Sequence, residues 1–227
     1  MFRAVLFDFD YTLADSTEGA VECVNHALFA CGLPLATREA IRRCIGYPPA
    51  ETFARLTGID GNDEALAGFL QAFMSRADEV MAPLTTLFPQ TIATMQQLRQ
   101  EGLRTGIVST KFRFRIESIL ANHEAGRLFD LVVGGEDVER HKPHPDGLIR
   151  ALTRLQLEPE QVLFVGDHPV DAQAAEAAGV PFVAMLSGAS TEDDFGRLPR
   201  KGMLSRIDQL PKWLQLWQSF ERFASPD

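Results

Sequence analysis

An α/β fold with a parallel sheet core and an α-helical domain inserted after the first strand is predicted by two features of the 227-residue chain. Short apolar runs recur, each followed by a helix-like stretch, which is the rhythm of parallel strands joined by crossover helices. That rhythm breaks between residue 16 and about residue 85, where helical periodicity appears in several pieces and no comparable strand run occurs.

The strand runs, in order, are AVLFDF at 4–9, RTGIVST at 104–110, FDLVVGG at 129–135, QVLFVGD at 161–167 and PFVAML at 181–186. Ahead of the second run, Ile92, Met95 and Leu98 are spaced for one helical face, and Gly102 stands where a C-terminal cap belongs. Inside the interruption, helices are expected over 20–31, 38–45, 50–56 and 63–81, separated by GLPL, GYPP and TGIDGND. Two crossings, near Ala14 to Ser16 and near Ala82 to Pro89, would connect this insert to the sheet, a geometry that permits hinge closure over a site. The expected domains are therefore residues 1–15 with 84–227 for the sheet and 16–83 for the helical insert. Near the end, Trp213, Leu216, Trp217, Phe220 and Phe223 fall at helical spacing. This predicts a terminal helix docked on the core, with a face for a second copy as the alternative.

Composition narrows the function. With 45% hydrophobic residues the chain can bury a substantial core without disulfides. Its three cysteines, Cys23, Cys31 and Cys44, lack any metal-ligand spacing and read as free or buried thiols in a reducing compartment. A net charge of −9 disfavours general binding to nucleic acid or to an anionic membrane. No basic N-terminal region precedes an apolar stretch, and no run approaches a membrane span, so a cytoplasmic protein, monomer or homodimer, is expected.

In parallel α/β sheets ligands bind outside the carboxyl ends of the strands, and the polar residues of this chain collect there. Asp8 and Asp10 end the first run, Ser109 and Thr110 the second, and Gly166 and Asp167 the fourth, with Asp171 one helical turn beyond. Lys142 precedes Pro143 in the loop after the third. Clustered carboxylates cannot all stay ionised unaided, and a hard divalent cation such as Mg²⁺ supplies the counter-charge while leaving sites for water and phosphate. Neither GxGxxG nor GxxxxGK[ST] follows the first strand, which argues against the rival nucleotide-binding folds.

These residues carry a family resemblance. DFDYTLADS resembles the DxDxT motif of the haloacid dehalogenase superfamily; IVSTK resembles its second motif, HKPHPDG the Lys of its third, and VGDHPVDAQAAEAAG its GDxxxD fourth. The resemblance spans essentially the whole chain, including a helical cap between the first two motifs as in the phosphoglycolate phosphatase-like branch, and it implies a Rossmann-like core. It further implies a phosphatase working through an aspartyl-phosphate. Asp8 would attack phosphorus, and Asp10 would protonate the leaving oxygen and then take a proton from water. Mg²⁺ would be held by Asp8, the backbone carbonyl of Asp10 and Asp167, with Asp171 ordering its water shell. Ser109 and Thr110 would contact the phosphoryl oxygens, and Lys142 would neutralise phosphate and nucleophile. Dehalogenating members of the superfamily have no acid two residues after the nucleophile, so Asp10 favours phosphoryl transfer. The substrate implied is a small phosphorylated metabolite such as phosphoglycolate or a sugar phosphate. An inorganic pyrophosphatase, a phosphosugar mutase and a catalytically silent binding protein are the alternatives.

The chain departs from the branch pattern at three points: Tyr11 replaces a usual Gly, Thr110 a common Asn, and Gln90 a common Gly. Tyr11 is expected at ordinary φ, its ring either at the entrance between the domains or packed under the cap. His141 and His168 are expected as exposed loop residues. Specificity is expected from the cap, with Tyr47 of the GYPP loop, Arg42 and Arg43 as contacts or as a solvated face, and Lys111 and Arg113 facing an anionic substrate.

Overall fold

Four buried residues, Ala4–Phe7, form β1 at the centre of the sheet. The computed structural model describes residues 1–59 and 64–224, with side chains up to Phe220. Residues 60–63 of the TGIDGND separator, including the expected helix start at Asp63, and the Phe223 side chain lie outside the described residues.

After β1 come β2 (Ala14–Asp15), α1 (Thr17–Ala30), α2 (Arg38–Arg42), α3 (Pro49–Thr57), α4 (Glu64–Val80) and β3 (Thr86–Leu87). The α/β alternation then runs α5 (Thr91–Gln100), β4 (Arg104–Val108), α6 (Arg113–Asn122), β5 (Leu131–Val133), α7 (Asp146–Leu155), β6 (Val162–Gly166), α8 (Pro169–Ala178) and β7 (Phe182–Met185). A short α9 (Glu192–Phe195), β8 (Gly202–Leu204) and α10 (Leu210–Ala224) complete it.

The main sheet is parallel, in the order β5-β4-β1-β6-β7-β8. Alternation along β1 and β6 divides the core in two. Val5, Phe7, Leu163 and Val165 face Met95, Leu98, Ile116 and Leu214 on one side. Ala4, Leu6, Val162 and Phe164 face Leu148, Ala151, Ala172 and Ala175 on the other. Phe7 is level with Ile107 of β4 and with Val165 of β6, so these three strands end together and the chain turns in opposite directions around β1. This is the switch point at which open α/β sheets place their sites.

Helices α1–α4 pack around a core of their own, in which Val24, Leu28, Ile41, Phe53 and Phe69 are buried. The connections that lead into and out of this bundle are zipped together: Ala14 pairs with Leu87 and Asp15 with Thr86, antiparallel, and Thr91 Oγ1 donates to the Leu13 carbonyl at 2.8 Å. None of the described helices is long and apolar enough to cross a membrane.

Several local expectations need correction. Every predicted strand is shorter than its run: the last residues of each run, and in the third, fourth and fifth runs the first ones as well, lie outside the ladder. The helix expected over 38–45 stops at Arg42: Thr37 Oγ1 caps its start by accepting from Ala40 N at 3.2 Å, and the chain turns after Arg43. In α10 the face against the core is Leu210, Trp213, Leu214 and Trp217, whereas Leu216 and Phe220 point to solvent. Gly102 stands just past α5 at φ +82, as a helix C-terminus requires, and Gln90 enters the same helix at an ordinary φ of −89. All three cysteines are free thiols.

Candidate active site

The first residues beyond β1, β4 and β6 are Asp8, Ser109 and Asp167, and strand register alone brings them to one edge of the sheet. Asp8 is tethered by its backbone N–H to the Val165 carbonyl at 2.8 Å, and Ser109 by its own to Val133 at 3.0 Å. Asp171 comes from the first turn of α8 and accepts from the His168 N–H at 3.0 Å. Gly166 makes room for it: a Cβ there would lie 2.4 Å from Asp171 Oδ2.

Asp8, Asp167 and Asp171 are all buried, and ligand oxygens from the three lie within 4.8 Å of one another. Lys142 Nζ reaches into the group, 2.9 Å from Asp8 Oδ1 and 2.5 Å from Asp171 Oδ1. Burial alone would lower the Lys142 pKa, but the Asp171 and Asp8 carboxylates more than offset this and hold the ammonium charged, above the ordinary lysine value. One ammonium does not balance three carboxylates. Burial, then the charges of Asp171 and Asp8, push Asp167 well above the usual carboxylate range, and burial raises Asp171 to about 6 against the pull of Lys142. Thr12 Oγ1 donates to Asp167 Oδ1 at 3.2 Å, a contact that favours the charged form.

Asp10 lies outside this group of three and pairs with Lys111 Nζ at 3.1 Å. Both ion pairs lie off hydrogen-bond geometry, which leaves Asp8 Oδ1 and Asp10 Oδ1 buried without a hydrogen-bond donor. Converging hard oxygens, an uncompensated negative charge and orphaned buried lone pairs fit a divalent cation such as Mg²⁺. Metal-stripped protein is therefore expected to gain thermal stability from Mg²⁺, by more at about pH 8 than at about pH 5.5. The sign follows from the raised carboxyl pKa values. A raised acid stabilises the metal-free fold below its ordinary pKa of 3.8, and that contribution is lost as pH rises through about 6 at Asp171. Ionised carboxylates then need the cation, while at lower pH protons compete with it. Equal gains at the two pH values would contradict this electrostatic picture.

The remaining candidates divide. Thr110 Oγ1 donates to the Gly46 carbonyl at 3.3 Å, which links the end of β4 to the GYPP loop. Tyr47 in that loop lies under the Arg55 guanidinium, 3.8 Å from its ring centroid, and meets the His168 ring edge-on at 4.5 Å. Asp10, Thr110, Lys111 and Tyr47 line a cavity of about 90 Å³ between sheet and bundle, walled by Phe73, Met74, Met81 and Phe112. Arg113 is instead held away from it, by Asp137 at 3.3 Å. Arg43, just past the end of α2, is exposed and paired with Glu39, so of Arg42 and Arg43 it is the solvated one.

Two expectations fail here. Tyr11 does not adopt ordinary φ: it sits at φ +56, in the left-handed region, with its ring buried under the helical bundle rather than at an entrance. His168 is not an exposed loop residue. It caps α8, its Nδ1 accepting from Val170 N at 3.3 Å, and burial and then the charge of Lys142 push its pKa down to about 4. His141 is half-buried and is also lowered, by burial and Lys142.

Sequence reasoning missed Arg115. Its buried guanidinium lines the same cavity and crosses to α4, binding Asp78 Oδ1 at 2.6 Å and the Met74 carbonyl at 3.2 Å. The available signal was a charge on the apolar stripe of α6, beside Ile116 and one turn before Ile119.

Comparison with known proteins agrees with this architecture. The chain is 36% identical over 206 residues to the phosphoglycolate phosphatase of Salmonella typhimurium, and the match covers 82% of each chain. It is 34% identical, with the same coverage, to the phosphoglycolate phosphatase of Escherichia coli K12. Among solved structures, a haloacid dehalogenase-like hydrolase from Bacteroides fragilis superposes with a TM-score of 0.89 at 45% identity, over 92% of this chain and 100% of that one. The family model described as haloacid dehalogenase-like hydrolase matches residues 5–185. With four motifs brought to one sheet edge and a family match over most of its length, the chain belongs to the haloacid dehalogenase-like hydrolases.

Proposed function

We propose that this hydrolase is a Mg²⁺-dependent phosphatase that cleaves a small phosphorylated metabolite, of phosphoglycolate or sugar-phosphate type, through an aspartyl-phosphate on Asp8. The observation that carries this reading is the pairing of a buried carboxylate with a buried ammonium, Asp8 with Lys142 at 2.9 Å, beside two further carboxylates and two residues before Asp10.

The chemistry assigned to each residue follows from its place. An Asp8 oxygen attacks phosphorus while the bond to the leaving oxygen breaks, and Asp10, protonated once the substrate draws Lys111 from it, delivers the proton that oxygen needs. Asp10, now a carboxylate, accepts a proton from water as the water oxygen attacks phosphorus, which frees phosphate and restores Asp8. Ser109 holds the phosphoryl oxygens through its hydroxyl and Thr110 through its backbone N–H, its own hydroxyl proton being donated to Gly46, and Lys142 offsets their charge and that of Asp8. Asp8, Asp167, Asp171 and the Asp10 backbone carbonyl are the groups that would hold Mg²⁺. Bound there, Mg²⁺ supplies Lewis-acid stabilisation of the phosphoryl charge. Lys111 is assigned a second partner, an anionic or hydroxyl-bearing leaving group in the cavity beside Asp10.

Cavity size supports a small substrate. About 90 Å³ is well below the roughly 300–1,000 Å³ of pockets that enclose drug-sized ligands, which favours a leaving group of a few carbons over a nucleoside. The test is phosphate release from a panel containing 2-phosphoglycolate, triose and hexose phosphates, nucleoside monophosphates, pyrophosphate and p-nitrophenyl phosphate. Release from the small esters with Mg²⁺, its loss with chelator, and kcat/KM for nucleotides at least about tenfold lower are expected. Metal-independent release, or a preference for pyrophosphate, would overturn the reading.

A further inference from the structure

We propose that Tyr11 and Arg42 form a clasp that holds the helical bundle closed over the carboxylate cluster, which makes Tyr11 a positioning residue and not a substrate contact. Neither residue lines the cavity beside Asp10. What they do touch joins three separate segments of the chain.

The phenol fastens the first connection to the bundle. Thr17 Oγ1 donates to Asp15 Oδ1 at 2.5 Å, because a carboxylate can only accept. The Tyr11 hydroxyl, 2.7 Å from Thr17 Oγ1, must then be the donor in that contact. Asp15 belongs to β2 and Thr17 opens α1, so this relay ties the loop after β1 to the hinge.

The ring and backbone of Tyr11 form the other half. The Arg42 guanidinium of α2 lies over the ring, 5.6 Å from its centroid, and its Nη2 donates to the Gly188 carbonyl at 2.9 Å. Ser187 Oγ donates to the Tyr11 carbonyl. Gly188 is pressed between Tyr11 and Asp167: a Cβ there would lie 3.0 Å from Tyr11 Cβ and 2.0 Å from Asp167 Oδ2. The turn at 187–188 therefore covers one of the three clustered carboxylates, and it is held by a bundle arginine from one side and by Tyr11 from the other. For the bundle to swing away, Arg42 must leave both the Tyr11 ring and the Gly188 carbonyl.

This also accounts for a side chain at a left-handed position. A non-glycine residue at φ +56 is strained, and such strain persists where surrounding contacts over-determine it. Glycine would relax the backbone but supply neither ring nor hydroxyl.

The test compares wild type with Tyr11→Phe, Tyr11→Gly, Arg42→Met and the double variant Tyr11→Gly/Arg42→Met. Hydrogen exchange of the connecting segments 14–17 and 82–88 is read in Mg²⁺ without substrate, alongside kcat and KM for p-nitrophenyl phosphate. Loss of the clasp raises the open population, so exchange and KM are expected to rise about five- to tenfold in Arg42→Met and Tyr11→Gly, with a smaller change in kcat. Tyr11→Phe, which keeps the ring, is expected to fall between them and wild type. The double variant is expected to match the worse single variant, because both changes break one device. Unchanged exchange in Arg42→Met, or effects that multiply in the double variant, would overturn the clasp. Arg42 is partly exposed on a short surface helix, so its variant answers the question even if Tyr11→Gly does not fold. The KM arm rests on the phosphatase reading; the exchange arm stands without it.

Discussion

Asp8→Asn is expected to abolish turnover, lowering kcat/KM by at least about 10⁴-fold, while leaving the protein folded. An amide at this position keeps the shape of the side chain but is a poor nucleophile and carries no charge to bind a cation. Its structural cost is small because the site is over-supplied with negative charge. Burial and the neighbouring carboxylates Asp171 and Asp8 already push Asp167 up, so removing one of them relieves repulsion. Lys142 keeps its contact with Asp171 at 2.5 Å. The melting temperature of the metal-stripped variant is expected not to fall below that of metal-stripped wild type. A variant that loses activity and also loses its cooperative transition would point to a structural role for Asp8 instead.

Lys142→Met has the opposite profile, with a loss of both activity and stability. Lys142 is buried among Asp8, Asp167 and Asp171, and its ammonium is the cation that contacts two of them. Removing one partner of a buried ion pair costs about 3–5 kcal/mol, because the charges left behind have neither solvent nor counter-ion. Turnover is expected to fall by about 10²- to 10³-fold through the loss of charge stabilisation on the phosphoryl group. The destabilisation has a predictable pH dependence. Carboxylates without their ammonium are raised further, so the fold is least penalised at low pH, where they take up protons, and most penalised as pH rises above about 6. Thermal melts at two pH values, with and without Mg²⁺, check this; added Mg²⁺ is expected to restore part of the loss at the higher pH. A destabilisation independent of pH would show that packing, and not charge, is what Lys142 contributes.

Much of this architecture is legible in the sequence because burial leaves a pattern. The strands of a parallel sheet covered on both faces read as apolar runs, and Asp8, Ser109 and Asp167 each stand one residue past a strand end. What remained hidden has physical reasons. Two-residue strands such as β2 and β3 have no period to detect, and β8 is three residues long. Steric rules place a tyrosine at negative φ, yet Thr17, Ser187 and Arg42 hold Tyr11 at φ +56, so tertiary contact overrides local preference. His168 reads as a loop residue until the GYPP loop is laid on it, where Tyr47 buries its ring. Arg115 reads as a solvated helix residue until Asp78, 37 positions earlier, is brought against it. For Tyr11, His168 and Arg115 a deciding partner, Arg42, Tyr47 or Asp78, lies 31 or more positions away in sequence. The core of the site follows from strand ends, while the contacts between sheet and bundle do not.

In the proposed mechanism Asp8 accepts the phosphoryl group. Its most direct test is peptide mapping by mass spectrometry after acid quench of the Asp10→Asn variant during turnover of p-nitrophenyl phosphate in Mg²⁺. Without Asp10 to activate water, the acyl-phosphate is expected to accumulate, and the phosphoryl mass is predicted on the peptide containing Asp8, absent when chelator is present. Turnover by this variant and by wild type with no phosphoryl group on Asp8, or with one on another residue, would contradict it.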